Sequence, residues 1–429
     1  MSKPNKLIGF FNKYNKHINS QLLLFLFISL TFNYILIIGP VYKYAGFEIS
    51  NFSFPSFCIG LIASSIAIIF GSSITDIFYY SLYHIILIMN YLPAVILTVG
   101  MGMNINSLLV VILPLTSILF LEKFIPKVEL SRPKLKYRVG SLISLTSILI
   151  LPYLSRYQII NYSNLLFENV YESRANFKAS GNPYFGYTSP LLMRYILPFI
   201  LINSITRKKI TLIIYILFMI LLVFLTTGSL KGYIIYIVLM VFLSFGKNKY
   251  QKIGRFIKMI LGISLFENLT FLITNEMFLG DYIRRALFVD PLLSRKYTEY
   301  FLNNYTFFSH TRIASIFGID SLYRETDTIT KWFGRYVIGT GTNASIGSFV
   351  EGFFSFGLIG LFIITLIFTM FIFIIRSCNI KKEYLGIIVI GCYVFIMTNI
   401  ETAFVTQGLI FFVFLSLFIF PKSDRKINP

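Results

Sequence analysis

Arg207-Lys208-Lys209 stands before the run Ile210-Thr-Leu-Ile-Ile-Tyr-Ile-Leu-Phe-Met-Ile-Leu-Leu-Val-Phe-Leu-Thr226. The run is almost wholly apolar and is long enough for a helix that crosses a bilayer. Three cations directly before an apolar run are typical of a cytoplasmic connection. This stretch therefore predicts a membrane-crossing helix that begins on the cytoplasmic side.

Eleven further apolar runs raise the predicted number of spans to twelve. All twelve together lie at about 21–39, 56–74, 78–99, 106–121, 139–154, 188–204, 209–226, 231–246, 256–275, 350–375, 383–400 and 404–420. The chain is 56% hydrophobic and 13% charged, against about one half and one quarter in soluble domains. A soluble enzyme and a disordered chain are both excluded. We expect an all-α, polytopic integral membrane protein of about 12 transmembrane helices, with 1–429 as a single transmembrane domain.

The positions of the basic residues predict the orientation of the spans. Of the 38 Lys and Arg residues, 24 lie in segments that alternate correctly as cytoplasmic connections. Both termini are then cytoplasmic by the positive-inside rule. Two long loops, 155–187 and 276–349, fall on the outer side, and their length predicts binding or chemistry outside the membrane.

The outer basic residues are mostly arginine, nine of the remaining fourteen. Lysine would serve as well as arginine if these residues only helped to set the membrane orientation. A guanidinium group matches phosphate or carboxylate oxygens at two points and is easier to desolvate than an ammonium group. The outer arginines therefore indicate either an anionic ligand or surface ion pairs with the outer acids.

Candidate binding residues occur in and after the first long loop. Glu172 and Arg174 lie in the loop itself, where Arg174 can clamp a phosphate and Glu172 can orient a sugar hydroxyl; a solvated loop is the alternative. Arg194 lies inside a span, which usually marks function, although its side chain could also reach the interface. Lys231 ends a turn rich in glycine and hydroxyl groups, before a helix N-terminus that could hold an anion.

The second long loop, 276–349, contains the other candidates. Apolar and aromatic residues recur after Arg284 and Arg285 at a spacing that predicts an amphipathic helix on the membrane surface. The two arginines would then lie at headgroup height. Arg312 follows His310, and Arg335 precedes a glycine-rich run that enters the next span.

His310 is a candidate general base, because it is the one histidine predicted on the outer face. A structural hydrogen-bonding role is the alternative. Glu351 and Glu401, near the outer boundary, are either active-site carboxylates or helix-end structural residues, and the second reading is favoured. Glu267 lies deeper in its span and has no role that the sequence explains.

Some absences also shape the expectation. The first outer loop, 40–55, has one acid, Glu48, where metal-dependent membrane glycosyltransferases carry a pair. No Walker motif occurs, so ATP is not expected as the energy source. Neither a metal nor another cofactor is expected, and nucleic acid is not expected as a partner.

The chain resembles the O-antigen polymerase family, the Wzy-type oligosaccharide repeat-unit polymerases. The resemblance covers the twelve-span plan, the two long outer loops and several short stretches. These stretches are Glu172-Ser-Arg174, the Thr-Gly-Ser turn at 227–229, Arg284-Arg285 with Pro291, Tyr297 and Phe301, and Asn343-Ala344 leading to Gly352 and Phe356-Gly357. Many members have arginine where Lys231 stands here.

The resemblance implies a fold and an activity. The fold is a plan like that of the GT-C glycosyltransferases, in the bacterial inner membrane with the active site on the periplasmic side. Such enzymes join repeat units carried on undecaprenyl pyrophosphate, which is both donor and acceptor carrier, and a separate co-polymerase normally controls chain length. On this reading Arg174, Arg284, Arg285 and Arg312 bind pyrophosphate or acceptor, Arg194, Arg335 and Lys231 are further candidates, and His310 or Glu172 activates the acceptor hydroxyl.

Two other functions remain open. An O-antigen ligase shares the plan and transfers glycan to lipid A-core, and its outer-loop histidine is usually central, so His310 fits it as well. A lipid-linked oligosaccharide flippase also has about twelve spans, but the length of the 276–349 loop argues against it.

Overall fold

A computed structural model describes residues 3–131, 138–155, 182–227, 231–246, 248–319, 328–339 and 343–423. The described residues are helical or irregular, and their β-structure is limited to one isolated bridge between Ile380 and Lys422. An all-α fold is therefore confirmed for this part of the chain. Side chains are assigned for most, but not all, of the described residues; those of Lys231 and Arg312 are among the exceptions.

Seven helices are long and apolar enough to cross a membrane. They are α1 (Tyr14–Val41), α2 (Phe54–Ser73), α3 (Ile77–Met101), α4 (Ile105–Phe124), α6 (Pro183–Thr206), α9 (Lys249–Thr274) and α13 (Ser348–Ser377). The predicted membrane-embedded protein is confirmed at this level.

The other five predicted spans lie on shorter helices. These are α5 (Arg138–Leu154), α7 (Ile210–Thr226), α8 (Lys231–Ser244), α14 (Leu385–Met397) and α16 (Leu409–Ile419). The total of twelve spans and the orientation of the termini stay predictions. Between the spans lie α10 at 280–300, α11 (Arg312–Ile316), α12 (Ile329–Tyr336) and α15 (Ile400–Phe404).

Polar side chains fix where several helices begin. Ser53 and Ser56 form a reciprocal capping box at the start of α2. Asp76 accepts from two backbone N–H groups at the start of α3, and Asn104 accepts from Ser107 at the start of α4. These oxygens satisfy N–H groups that have no partner within a helix, which matters most where water is scarce.

The chain forms two compact units. The first comprises 1–125, 247–371 and 395–400, and the second comprises 126–246, 372–394 and 401–429. In the first unit α3 is buried along most of its length, and α6 is buried similarly in the second. A helix that is apolar all round and buried all round forms the centre of a bundle, so these two helices are the cores of their units.

Both core helices widen into a π-turn shortly before a proline. The π-turn of α3 is Leu87–Tyr91, followed by Pro93, and that of α6 is Leu192–Ile196, followed by Pro198. Proline lacks an N–H group and disturbs the preceding turn, which the wider spacing accommodates. Each π-turn carries one strongly polar side chain, Asn90 or Arg194, and π-turns are frequent at functional sites.

The first part of α13 folds back on the rest of it. Phe356 and Gly357 have non-helical backbone angles, and Gly357 has φ +61°. A Cβ added to Gly352 would lie 2.7 Å from the carbonyl oxygen of Gly360, which a continuous helix would hold far away. Residues 348–355 thus form a short half-helix that packs against the helix 358–377.

One face of helix α10 is buried inside the first unit. It packs against α3 and α4, and its Leu293, Tyr297 and Phe301 have little or no exposed surface. The Tyr297 ring stacks on Phe333 of α12 with centroids 3.7 Å apart. Protein side chains therefore cover the apolar face of this amphipathic helix.

Candidate functional site

The loop at 305–311 is held at the carboxyl end of the half-helix. The N–H groups of Thr306 and Phe307 donate to the carbonyl oxygens of Phe354 and Ser355, at 2.9 and 3.0 Å. Phe307 and Phe308 then adopt positive φ angles, which turn the chain sharply. This turn directs His310 towards the half-helix.

His310 and Glu351 form a buried pair. His310 Nε2 lies 3.1 Å from Glu351 Oε1, and their side chains are 3% and 0% exposed. Thr306 Oγ1 lies 3.1 Å from His310 Nδ1. The arrangement fits a neutral imidazole that donates from Nε2 to the carboxylate and accepts from the Thr306 hydroxyl at Nδ1.

This geometry is that of a base with its positioning carboxylate. A hydroxyl that replaced the Thr306 hydroxyl at Nδ1 could give its proton to the ring, while Glu351 held the ring and balanced the new charge. Both ring nitrogens are engaged in the structure, so a substrate hydroxyl reaches Nδ1 only when Thr306 turns away.

Glu351 also ties a third segment to this pair. Its Oε2 accepts from the backbone N–H of Ile400, the first residue of α15. The sequence left Glu351 open between an active-site carboxylate and a helix-end residue. The structure gives it contacts of both kinds, and no sequence pattern connects it with His310 at a separation of 41 residues.

Arg284 and Arg285 are both paired with one acid. Asp281 lies 2.6 Å from Arg284 Nη2 and 2.9 Å from Arg285 Nε. The Arg284 guanidinium also lies over the Tyr42 ring, 4.0 Å from its centroid. Two cations share one carboxylate, so this group keeps a net positive charge, and Arg285 is half-exposed.

A polar cavity of about 540 Å³ lies in the first unit beside α10. Its walls include Glu48, Arg295, Lys296, Glu299 and Tyr300. Arg295 is fully engaged there, because it donates to the carbonyl oxygens of Met101 and Gly102 and pairs with Glu299. The mixture of both charges with an aromatic ring suits a polar, uncharged ligand such as a sugar better than an anion.

Arg194 differs from Arg284, Arg285 and Arg295 because no acid among the described residues forms an ion pair with it. It is 8% exposed, and its Nε and Nη1 atoms have no hydrogen-bond partner among the described residues. Its guanidinium lies 5.8 and 5.3 Å from the ring centroids of Tyr233 and Tyr236. Cation–π contact offsets only part of the cost of burying this charge.

The neighbours of Arg194 lie in the first turns of α8. Tyr233 and Tyr236 belong to this helix, which begins at Lys231 directly after the turn that the sequence singled out. Ser189 Oγ lies 3.4 Å from the Tyr233 hydroxyl. Two separately predicted features, the arginine within a span and the helix start after the hydroxyl-rich turn, are therefore neighbours in the second unit.

The remaining candidates have less structural context. Glu172 and Arg174 lie outside the described residues, and so do the side chains of Lys231 and Arg312, although the backbone starts α8 and α11 at these two positions. Arg335 is exposed near the end of α12.

Glu267, unexplained by the sequence, accepts from the Leu279 N–H at 2.6 Å and so ties the loop after α9 to that helix. Within the described ranges, no three His, Cys, Asp or Glu side chains are grouped to hold a metal ion. No family model, curated protein or solved structure matches the chain.

Proposed function

We propose that this protein is an O-antigen polymerase of the Wzy type, a glycosyltransferase of the bacterial inner membrane. It transfers a growing glycan from undecaprenyl pyrophosphate to the non-reducing-end sugar of another lipid-linked repeat unit, on the periplasmic side. The observation that carries the proposal is the buried guanidinium of Arg194, whose Nε and Nη1 atoms have no hydrogen-bond partner among the described residues.

An unpaired charge in a membrane span costs several kcal/mol and is usually retained for function. A pyrophosphate group would supply the missing partner, because its oxygens can accept from Nε and Nη1 together. The amino end of α8 adds further positive potential beside the rings of Tyr233 and Tyr236.

The His310–Glu351 pair would accept the proton that the acceptor hydroxyl group loses. The acceptor hydroxyl oxygen attacks the anomeric carbon of the donor sugar, and its proton passes to His310 Nδ1. The bond from the anomeric carbon to the pyrophosphate oxygen breaks, and undecaprenyl pyrophosphate leaves with the electron pair. Glu351 acts through His310 as a positioning residue and never contacts the sugar.

The polar cavity beside α10 is proposed for sugars of the acceptor. Tyr300 lines it and lies 5.8 Å from the ring of Trp332, so an aromatic surface borders the cavity. Sugar rings present C–H faces that pack on aromatic rings, while their hydroxyl groups bond to charged side chains.

The second candidate is an O-antigen ligase, which the His310–Glu351 pair also favours. A ligase needs the same leaving group and the same proton transfer, and differs in taking lipid A-core as the acceptor. The proposed anion-binding site at Arg194 would serve a polymerase and a ligase equally, so it does not distinguish the two activities.

Deletion of the gene from its own bacterium separates the candidate functions. Loss of a polymerase leaves lipid A-core capped with a single repeat unit, which gel analysis of lipopolysaccharide shows as one band above the core. Polymer that accumulates on the lipid carrier would identify a ligase instead. Absence of any surface repeat unit would point to a flippase and overturn both transferase proposals.

A further inference from the structure

A small cavity lies in the first unit where α10 meets the middle of α3 and α4. Its volume is about 30 Å³, comparable to the space that one water molecule occupies. Its walls include Asn90, Asp290, Gly347, Ile396 and Met397. Apart from Asp290, none of these residues can carry a charge.

Two oxygen-bearing side chains at this cavity lack donors. The Asp290 carboxyl makes no hydrogen bond or ion pair within the described part of the chain. Asn90 is 7% exposed, and its Oδ1 atom is buried with no partner. A half-buried carboxylate that lines the same cavity as an unsatisfied amide oxygen is costly unless something positive or hydrogen-donating lies in the cavity.

The carboxyl end of α14 borders the same cavity. In a continuous helix the Ile400 N–H would donate to the Ile396 carbonyl oxygen, but it donates to Glu351 instead. Ile396 and Met397 both line the cavity, at the end of a helix where carbonyl groups carry partial negative charge. The half-helix approaches this point so closely that a Cβ on Gly347 would collide with the Ile396 oxygen.

The groups around the cavity are thus suited to a cation of single charge. One carboxylate balances one positive charge, and an amide oxygen and backbone carbonyl oxygens are the ligands that hard cations prefer. A proton is the competing occupant, because burial raises the pKa of Asp290 to about 7. Broken helices whose carbonyl ends hold Na⁺ are a known device in membrane proteins.

We propose that Asp290 and Asn90, together with the carboxyl end of α14, bind one Na⁺ ion. The ion would join α10, α3 and α14 at the point where the half-helix begins. It would thereby stabilise the arrangement that holds Glu351. This inference concerns a separate site and does not depend on the proposed transferase activity.

Thermal unfolding of the purified full-length protein in detergent tests the proposal. At pH 8.5, where the Asp290 carboxyl is ionised, we expect 150 mM NaCl to raise Tm by about 3 °C over choline chloride of equal ionic strength. At pH 5.5 the protonated carboxyl should abolish the difference between NaCl and choline chloride.

Matched variants assign the effect to the site. Asp290→Asn has nearly the same shape without the charge, and should remove the response to Na⁺ while still folding in choline chloride. Glu276→Gln, an exposed acid outside the cavity, should keep the full response. The proposal is overturned if the wild-type Tm is the same in NaCl and choline chloride at pH 8.5, or if Asp290→Asn responds to Na⁺ as the wild type does.

Discussion

His310 Nε2 lies 3.1 Å from Glu351 Oε1, and the two side chains are almost completely buried. The pair joins the loop at 305–311 to the half-helix, and Glu351 extends the link to Ile400. A buried histidine with a carboxylate on one nitrogen and a hydroxyl on the other is set up to exchange that hydroxyl for a substrate's.

Glu351→Gln should lower polymerisation strongly while leaving the protein in the membrane. Glutamine can still accept from the Ile400 N–H but carries no charge to balance a protonated His310. We expect a rate loss of about 100-fold, the lower end for general-base catalysis. In vitro transfer from purified lipid-linked repeat units measures it.

The double variant separates catalysis from structure. His310→Ala should lower the in vitro transfer rate at least as much as Glu351→Gln does, and adding Glu351→Gln to it should lower the residual rate no further, because the two residues act as one unit. A further loss in the double variant, or a full ladder from His310→Ala at normal protein level, would refute the catalytic role.

Arg194→Gln should weaken donor binding and slow the leaving-group step. Removal of one guanidinium contact to a phosphate group is expected to lower kcat/KM by about 100-fold. Arg194→Lys should restore only part of the activity, because an ammonium group cannot make the two-point contact. Arg207→Gln, an exposed position in the same unit, serves as the control and should retain activity. Equal activity of both glutamine variants would remove the pyrophosphate assignment.

Tyr300→Ala should raise the acceptor KM by about fivefold with kcat little changed. Tyr300 lines the polar cavity, and aromatic packing is worth about 1 kcal/mol. Steady-state kinetics with the donor held at saturation measures this split. Tyr282→Ala alters an exposed tyrosine of α10 that does not line the cavity, so a KM rise in both variants would count against a sugar site there.

Gly347→Ala should destabilise the protein by about 2 kcal/mol, a typical cost of overpacking. The new methyl group would overlap the backbone carbonyl of Ile396, which cannot move as a side chain can. Thermal unfolding in detergent compares it with Gly262→Ala, where a Cβ would meet nothing within 4 Å. We expect that control to match or exceed the wild type, and a Gly347→Ala protein of normal Tm would contradict the close approach.

The ion pairs of Asp281 predict a small loss of protein stability in acid. Burial raises the pKa of its carboxyl, but the hydrogen bond from Arg284 and the charges of Arg285 and Arg284 outweigh this and hold the pKa below its usual value. The resulting stability is present above about pH 4 and is lost as the pH falls through the lowered pKa.

Since the Asp281 side chain is more than a third exposed, its contribution should stay below about 1 kcal/mol. Asp281→Asn should therefore unfold at a lower Tm at pH 7, with the gap to wild type closing towards pH 3. A gap that stays constant over this range would show that the ion pairs contribute nothing.

The positions of the seven long apolar helices could be predicted from the sequence because hydropathy depends on local composition alone. The reversal at Phe356–Gly357 could not, since both arms of α13 are apolar and read as one continuous run. The sequence likewise predicts that α10 is amphipathic, but it does not predict which residues cover the apolar face. Periodicity identifies an apolar face and leaves its partner open.

Contacts between candidate residues could be predicted only where the two partners are close together in the sequence. Asp281 precedes Arg284 and Arg285 by three and four residues, a spacing at which helical side chains meet. That pairing could therefore have been predicted. Three features depend on packing between distant segments. They are the lack of an acidic partner for Arg194 among the described residues, the partnership of His310 with Glu351, and the position of Asp290 and Asn90 on one cavity.

The half-helix at 348–355 affects how the orientation of this chain can be mapped experimentally. A reporter fused after residue 355 would remove the helix 358–377 against which the half-helix packs. The truncated product would end in a short apolar peptide that has no helix to pack against. Its reporter would then show on which side of the membrane that unsupported peptide ends. Fusion junctions placed after Ser377 retain both arms and report the side that the native chain reaches.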